Sequence, residues 1–208
     1  MEELLDHAAD RLQACGYVVL GDVLQPDLLN ALYLHFRSLD EDKFKRAGIG
    51  REGDYQVNRF VRTDSIHWLE GTHPVTSEYF ALAERIRLGL NERLYLGLFD
   101  YECHYAYYPE GAYYKKHVDA FRGNNTRILS TVLYLNPNWT PGDGGELVLY
   151  QEDAVTVQES IPPGFGRLVI FLSEVFPHEV MPARAPRYSL TGWFRKNNSL
   201  GESIDPNR

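Results

Sequence analysis

The first recurrent pattern along the chain is helical. Leu4, Leu5, Ala8 and Leu12 return every three or four residues within 2–15, and Gly16 follows where a glycine commonly closes a helix. Tyr17, Val18, Val19 and Leu20 form a short β-branched run between glycines, which predicts a strand. Pro26 suits the first turn of a second helix, where its missing N–H costs no intrahelical bond, and Leu28, Leu32 and Phe36 would share that helix's buried face. Residues 40–53 turn charged and glycine-bearing and read as a solvated loop, with a mobile flap as the alternative. A third helix is predicted over residues 77–94, where Leu82, Ile86, Leu90 and Leu94 form a stripe fit to pad a sheet.

Beyond residue 99 the period shortens to two. ECHYAYY (102–108), RILSTVLYLN (127–136), GELVLYQ (145–151), RLVIFL (167–172), HEV (178–180) and RYSLTGWF (187–194) read as strands. The turns between them are PEG, GNN, PGDGG, PPGFG and MPARAP, rich in the residues that reverse a chain. Many short strands so closely spaced predict a mainly β sandwich or barrel with helical padding. With 208 residues one domain is expected over 1–196, in which 1–98 support a core formed by 99–196 and residues 197–208 form a polar tail.

Composition narrows the class. No apolar run approaches the roughly 20 residues that a membrane helix requires, and the acidic amphipathic start does not resemble a secretory signal, so a soluble cytoplasmic protein is expected. Cys15 and Cys103 are too few for a disulfide framework and read as reduced packing residues. The net charge of −8, with no basic patch, argues against a nucleic-acid partner.

His117 and Asp119 stand two apart, so in an extended chain an imidazole and a carboxylate would share a face. Alone this is weak, because seven histidines produce a His-x-Asp triplet by chance about 0.4 times, and a surface ion pair explains it as well. A second segment changes the picture: His178 is followed nine residues later by Arg187 and then Ser189. Two histidines and one carboxylate leave three positions of an octahedron open, the ligand pattern of non-haem iron(II) oxygenases, whereas zinc usually takes four ligands. The strand of Arg187 is expected to pair with the strand at His178 and bring the guanidinium to the metal cavity. There it would grip a carboxylate through two parallel bonds, with Ser189 as a third donor. Thr191 and Trp193 share that face, and Trp193 reads equally well as a core ring. His104, two residues after Glu102, lacks a companion cluster and reads as a packed or rim histidine.

Taken together, VRTDSIHWLEG (61–71), YYPEGAYYKKHVD (107–119), LYLN (133–136), GGELVLY (144–150), GRLVIF (166–171), HEVMPA (178–183) and RYSLTGWF (187–194) resemble the iron(II)/2-oxoglutarate-dependent oxygenases. The likeness is greatest to bacterial prolyl 4-hydroxylases similar to the hypoxia-inducible-factor prolyl hydroxylases, and covers residues 56–196. It implies a double-stranded β-helix, or jelly roll, with the N-terminal helices packed on one sheet.

By resemblance His117, Asp119 and His178 match iron ligands, and Arg187 matches the residue that binds the distal carboxylate of 2-oxoglutarate. Tyr134 would share that carboxylate, Tyr108 would lie near the cosubstrate in competition with Tyr107, Tyr113 and Tyr114, and Thr191 would orient the Asp119 side. Arg62 and Asp64 match a loop that folds over a bound peptide, and Arg127 a residue at the cleft edge; Trp193 is grouped with these substrate contacts. The implied cofactors are Fe(II), 2-oxoglutarate and O2, with ascorbate as a possible reductant. The implied reaction is 4-hydroxylation of a prolyl residue exposed on an intracellular protein, yielding succinate and CO2. Alternatives are a free amino acid or other small-molecule acceptor, and a catalytically silent metal-binding or sensing module. A zinc hydrolase is disfavoured because Arg187 then has no carboxylate to bind.

Overall fold

Two antiparallel sheets face one another, and three helices lie against the outer side of the larger sheet. The computed structural model describes residues 1–46, 61–120 and 126–197. The helices are α1 (Glu2–Cys15), α2 (Pro26–Ser38) and α3 (Pro74–Leu94). The strands are β1 (Tyr17–Leu20), β2 (Lys45–Arg46), β3 (Ser65–Trp68), β4 (Leu98–Tyr108), β5 (Tyr114–His117) and β6 (Arg127–Tyr134), then β7 (Leu147–Tyr150), β8 (Val157–Ile161), β9 (Leu168–Leu172), β10 (His178–Val180) and β11 (Arg187–Lys196). The large sheet runs β1-β9-β6-β11-β4-β3-β2 and the small one β5-β10-β7-β8, the jelly-roll arrangement expected.

The first three elements stand where the hydrophobic spacing puts them, and Gly16 closes α1 with φ 78°. The third helix starts earlier than its apolar stripe suggests. Pro74 occupies its first turn and the His73 ring accepts the Val75 N–H, so proline and cap set the boundary. Within 40–53 the structure contains a 3-10 turn, Glu41–Lys43, and β2, which pairs with β3. Residues 47–53, the GNN turn and the tail from 198 lie outside the described residues. Strands β5 and β8 have no clear alternating signal; they are rich in polar residues, and pairing with neighbours holds them extended.

One expected pairing is corrected. The strand of Arg187 does not pair with that of His178: β11 lies between β6 and β4 in the large sheet, while β10 lies between β5 and β7 in the small one. Arg187 therefore approaches the metal side across the packed sheets. Alternation along β11 turns Arg187, Ser189, Thr191 and Trp193 inward and Leu190 and Phe194 toward the helices. Tyr134, Leu147, Leu149, Val169, Phe171 and Phe176 pack between the sheets, whereas Leu32, Phe36, Leu82, Ile86 and Leu90 pack with Leu133, Leu190 and Phe194 beneath the helices. Each such buried side chain contributes about 1.5–3 kcal/mol relative to exposure, so two full layers fix how the inner faces meet.

Candidate active site

His117 ends β5, His178 opens β10, and the two are direct cross-strand partners. Asp119 sits in the bend two residues beyond, not in the strand itself, yet the three ligand atoms lie within 4.8 Å of one another. Asp119 Oδ1 is 3.5 Å from His117 Nε2, and its Oδ2 is 3.6 Å from His178 Nε2. The same local device orients each ring. His117 Nδ1 lies 2.8 Å from the Lys115 carbonyl and His178 Nδ1 2.9 Å from the Phe176 carbonyl. A carbonyl only accepts, so Nδ1 carries the proton and each Nε2 offers a lone pair toward Asp119.

Burial, followed by the neighbouring His117, lowers the pKa of His178 to about 4, so its ring is neutral at physiological pH. Burial alone would raise the Asp119 carboxyl, but both histidines and Arg127 hold it well below the usual range. Two lone pairs and an anionic oxygen converging on one point form a cation-binding set, and one suited to iron(II).

Asp119 is also held from the large sheet. Ser130 Oγ donates to Oδ2 at 2.7 Å, Ser173 lies 2.9 Å behind Ser130, and the Trp193 indole N–H donates to the same oxygen at 2.9 Å. Ser130 alternates with Val132 and Tyr134 on β6, so the strand period places it on the face of Tyr134. Its contact with Asp119 arises from the stacking of the sheets, which no local pattern shows. Thr191 lies between Ser189 and Trp193 on this inner face; the Asp119 bonds described above come from Ser130 and Trp193 instead.

Arg187 is 1% exposed, and no carboxylate pairs with it among the described residues. Its Nε donates to the Gly145 carbonyl at 2.9 Å and one terminal nitrogen lies 3.2 Å from Ser189 Oγ. Gly144 and Gly145 have φ of 68° and 69°, and a Cβ on Gly144 would stand 2.4 Å from the Pro182 carbonyl. Glycine is needed for the turn that aims this carbonyl at Arg187. Tyr134 and Tyr108 flank the guanidinium, with ring centres 5.1 and 4.8 Å away. Among the described residues no group stands in hydrogen-bonding geometry to the buried Tyr134 hydroxyl. A buried guanidinium without an anion beside an unpartnered hydroxyl is costly unless a ligand carboxylate binds both.

Of the competing rings, Tyr108 is the one that lies against Arg187. Tyr114 instead stacks on His117 at 3.6 Å, and Tyr107 stacks on Tyr188 on the other side of the sheet. Arg62 and Asp64 form a two-bond ion pair of 2.8 and 2.6 Å, with the Asp64 side chain fully buried, and Arg62 lies 4.2 Å from the Tyr114 ring centre. Arg127 lies over Trp193 at 3.5 Å and pairs with Glu102. His104 is a packed histidine, with Trp68 and Trp193 against its ring.

Residues 103–195 match the sequence model of the 2OG-Fe(II) oxygenase superfamily. A mouse protein named prolyl hydroxylase EGLN3 is 32% identical over 187 residues, 84% of this chain and 74% of that one. A Caenorhabditis elegans hypoxia-inducible factor prolyl hydroxylase is 26% identical over 97% of this chain, which spans 29% of that longer protein. Among solved structures, a Pseudomonas putida prolyl-4-hydroxylase superposes with a TM-score of 0.83 at 40% identity, covering 93% of this chain and 99% of that one. A Trichoplax adhaerens prolyl hydroxylase in complex with a hypoxia inducible factor peptide fragment superposes at 0.82 and 29% identity, over 94% of this chain and 90% of that one. The chain therefore belongs to the 2OG-Fe(II) oxygenase superfamily, as an iron(II)- and 2-oxoglutarate-dependent dioxygenase of prolyl-hydroxylase type.

Proposed function

We propose that the protein hydroxylates a prolyl residue of another protein at C4, consuming 2-oxoglutarate and dioxygen. The observation that carries this reading is the buried Arg187, which lacks a protein carboxylate and lies beside the unpartnered Tyr134 hydroxyl, on the sheet facing the His-Asp-His triad. His117, Asp119 and His178 would hold the metal. Arg187, Tyr134 and Ser189 would hold the far carboxylate of 2-oxoglutarate, with Tyr108 as a wall and Thr191 on the floor between Ser189 and Trp193. When bound there, iron(II) and 2-oxoglutarate supply the oxidising chemistry, in which dioxygen yields succinate, CO2 and a hydroxyl on the substrate carbon.

The chain's own contribution is orientation and shelter. The two carbonyl-fixed imidazoles and the doubly held Asp119 keep their positions without reorganisation, and the layer between the sheets excludes water. Arg62, Asp64, Arg127 and Trp193 would seat the acceptor peptide, with Asp64 acting by holding Arg62 in place. The Trichoplax structure contains a bound peptide fragment, which supports a polypeptide acceptor here. The net charge of −8 argues against nucleic acid, and the free thiols Cys15 and Cys103 suit a cytoplasmic setting. No helix among the described residues is long and apolar enough to cross a membrane.

The direct test incubates the protein with iron(II), 2-oxoglutarate and a host proteome, then reads succinate formation and the mass of one added oxygen on proline. Polypeptide-dependent succinate with oxidised proline is the expected result. Faster turnover of free proline than of any polypeptide would replace this reading with a small-molecule hydroxylase.

A further inference from the structure

The same arrangement recurs on either side of the metal triad. On one side Asp64 holds Arg62 over Tyr114, which stacks on His117. On the other, Glu102 Oε1 accepts from Arg127 Nε at 3.1 Å and from its terminal nitrogen at 2.9 Å. That guanidinium lies 3.5 Å over the Trp193 ring, and the ring's N–H reaches Asp119. Glu102 is itself fixed. It is the cross-strand partner of Trp193, its second oxygen is 3.5 Å from Arg195, and Arg195 is paired with Asp100. An unbroken line of contacts thus runs from the outer end of the large sheet to a ligand of the metal.

The structure assigns Glu102 as a positioning residue for Asp119, acting through Arg127 and Trp193. The assignment rests on the reading of His117, Asp119 and His178 as metal ligands. Oδ2 of Asp119 receives both the Ser130 and the Trp193 donors, while Oδ1 faces His117. Two donors on one oxygen set the rotation of the carboxylate plane, and hence which oxygen meets the cation. The indole can do this only while its plane is set, and the stacked guanidinium sets it. Glu102 fixes the guanidinium in turn, because two N–H groups meeting one oxygen define its plane. Removing Glu102 takes that anchor away without touching any group at the metal.

Cobalt(II) is a suitable probe, since its visible spectrum reports both affinity and ligand geometry in the absence of turnover. Changes to groups behind metal ligands weaken binding about 10- to 100-fold, and Glu102 stands further back. Glu102→Ala is therefore expected to weaken cobalt(II) binding roughly threefold to tenfold and to alter its absorption bands, with Glu102→Gln in between, since the amide still accepts from Arg127. Trp193→Phe keeps a ring and loses the donor, and is expected to cost roughly tenfold. The deciding result is the double variant: in a Trp193→Phe background, Glu102→Ala should add nothing further. A purely structural role would weaken binding by the same factor in both backgrounds, and that outcome, or unchanged binding by Glu102→Ala, overturns the assignment. A His178→Ala protein serves as the control. If it binds cobalt(II) as tightly as the wild type, the triad reading fails and the Glu102 assignment falls with it. If it loses the ion while Glu102→Ala retains full affinity, only Glu102 is overturned.

Discussion

Arg187→Lys keeps a positive charge in the pocket but replaces a planar fork with one rotating ammonium. The lost bidentate geometry should weaken 2-oxoglutarate binding by about 1.5–3 kcal/mol, roughly ten- to hundredfold, as read from the apparent affinity in an uncoupled succinate assay. Unchanged affinity would remove Arg187 from the cosubstrate site. Tyr134→Phe should act with opposite signs on two observables. Deleting an unpartnered buried hydroxyl should stabilise the ligand-free protein by about 1–3 kcal/mol in thermal or denaturant unfolding, while 2-oxoglutarate binds more weakly. His104 brings a pH dependence, because burial lowers its pKa to about 3 from an unfolded value near 6.5. As pH falls through 6.5 the unfolded chain takes up a proton that the folded chain refuses, so stability declines from there toward pH 3 and is unaffected above. His104→Phe should flatten that decline in melting temperature, and an unchanged slope between pH 7 and 4.5 would assign the acid sensitivity elsewhere. At this scale the clustering of His117, Asp119 and His178 and the inward burial of Arg187 were legible in the sequence, because each carries uncommon chemistry inside an ordered motif. Ser130, Ser173 and Glu102 were not legible, since a serine or glutamate in or beside a strand looks like ordinary surface polarity until residues distant in sequence supply its partner.

The elements differ in how much of themselves they announce. Helices α1 and α2 are set by local spacing and by proline or glycine at their ends, so they can be read from one stretch of chain. Strands β5 and β8 cannot, because YKKH and VQESI are held extended by β10 and β7 and not by their own composition. The sheet that takes β11 is a long-range choice, and expecting it beside β10 assumed that the next strand in sequence is the next in space. The turn before β7 is an element whose geometry matters to the site. Gly144→Ala would place a methyl carbon against the Pro182 carbonyl at a positive φ, so the turn must shift and carry the Gly145 carbonyl away from Arg187. The expected outcome is a loss of more than about 1 kcal/mol in stability together with weaker 2-oxoglutarate binding. Normal values for both would show that the turn tolerates the change.

For the whole molecule, the decisive feature is that the two histidines stand on the small sheet while Arg187, Tyr134 and Ser189 stand on the large one. On the proposed assignment, a molecule of 2-oxoglutarate held by residues of both sheets would work as a rivet through the sandwich. The rivet needs both of its heads: the cation at one end and the guanidinium at the other. Thermal shifts under anaerobic conditions should then be cooperative, so that iron(II) and 2-oxoglutarate together raise the melting temperature by more than the sum of their separate effects. His178→Ala should abolish the excess, and strictly additive shifts in the wild type would mean that the sheets are not joined through the ligand. On this view the resistance of the two layers to parting reports the joint supply of a metal and a central carbon metabolite, even before any acceptor arrives.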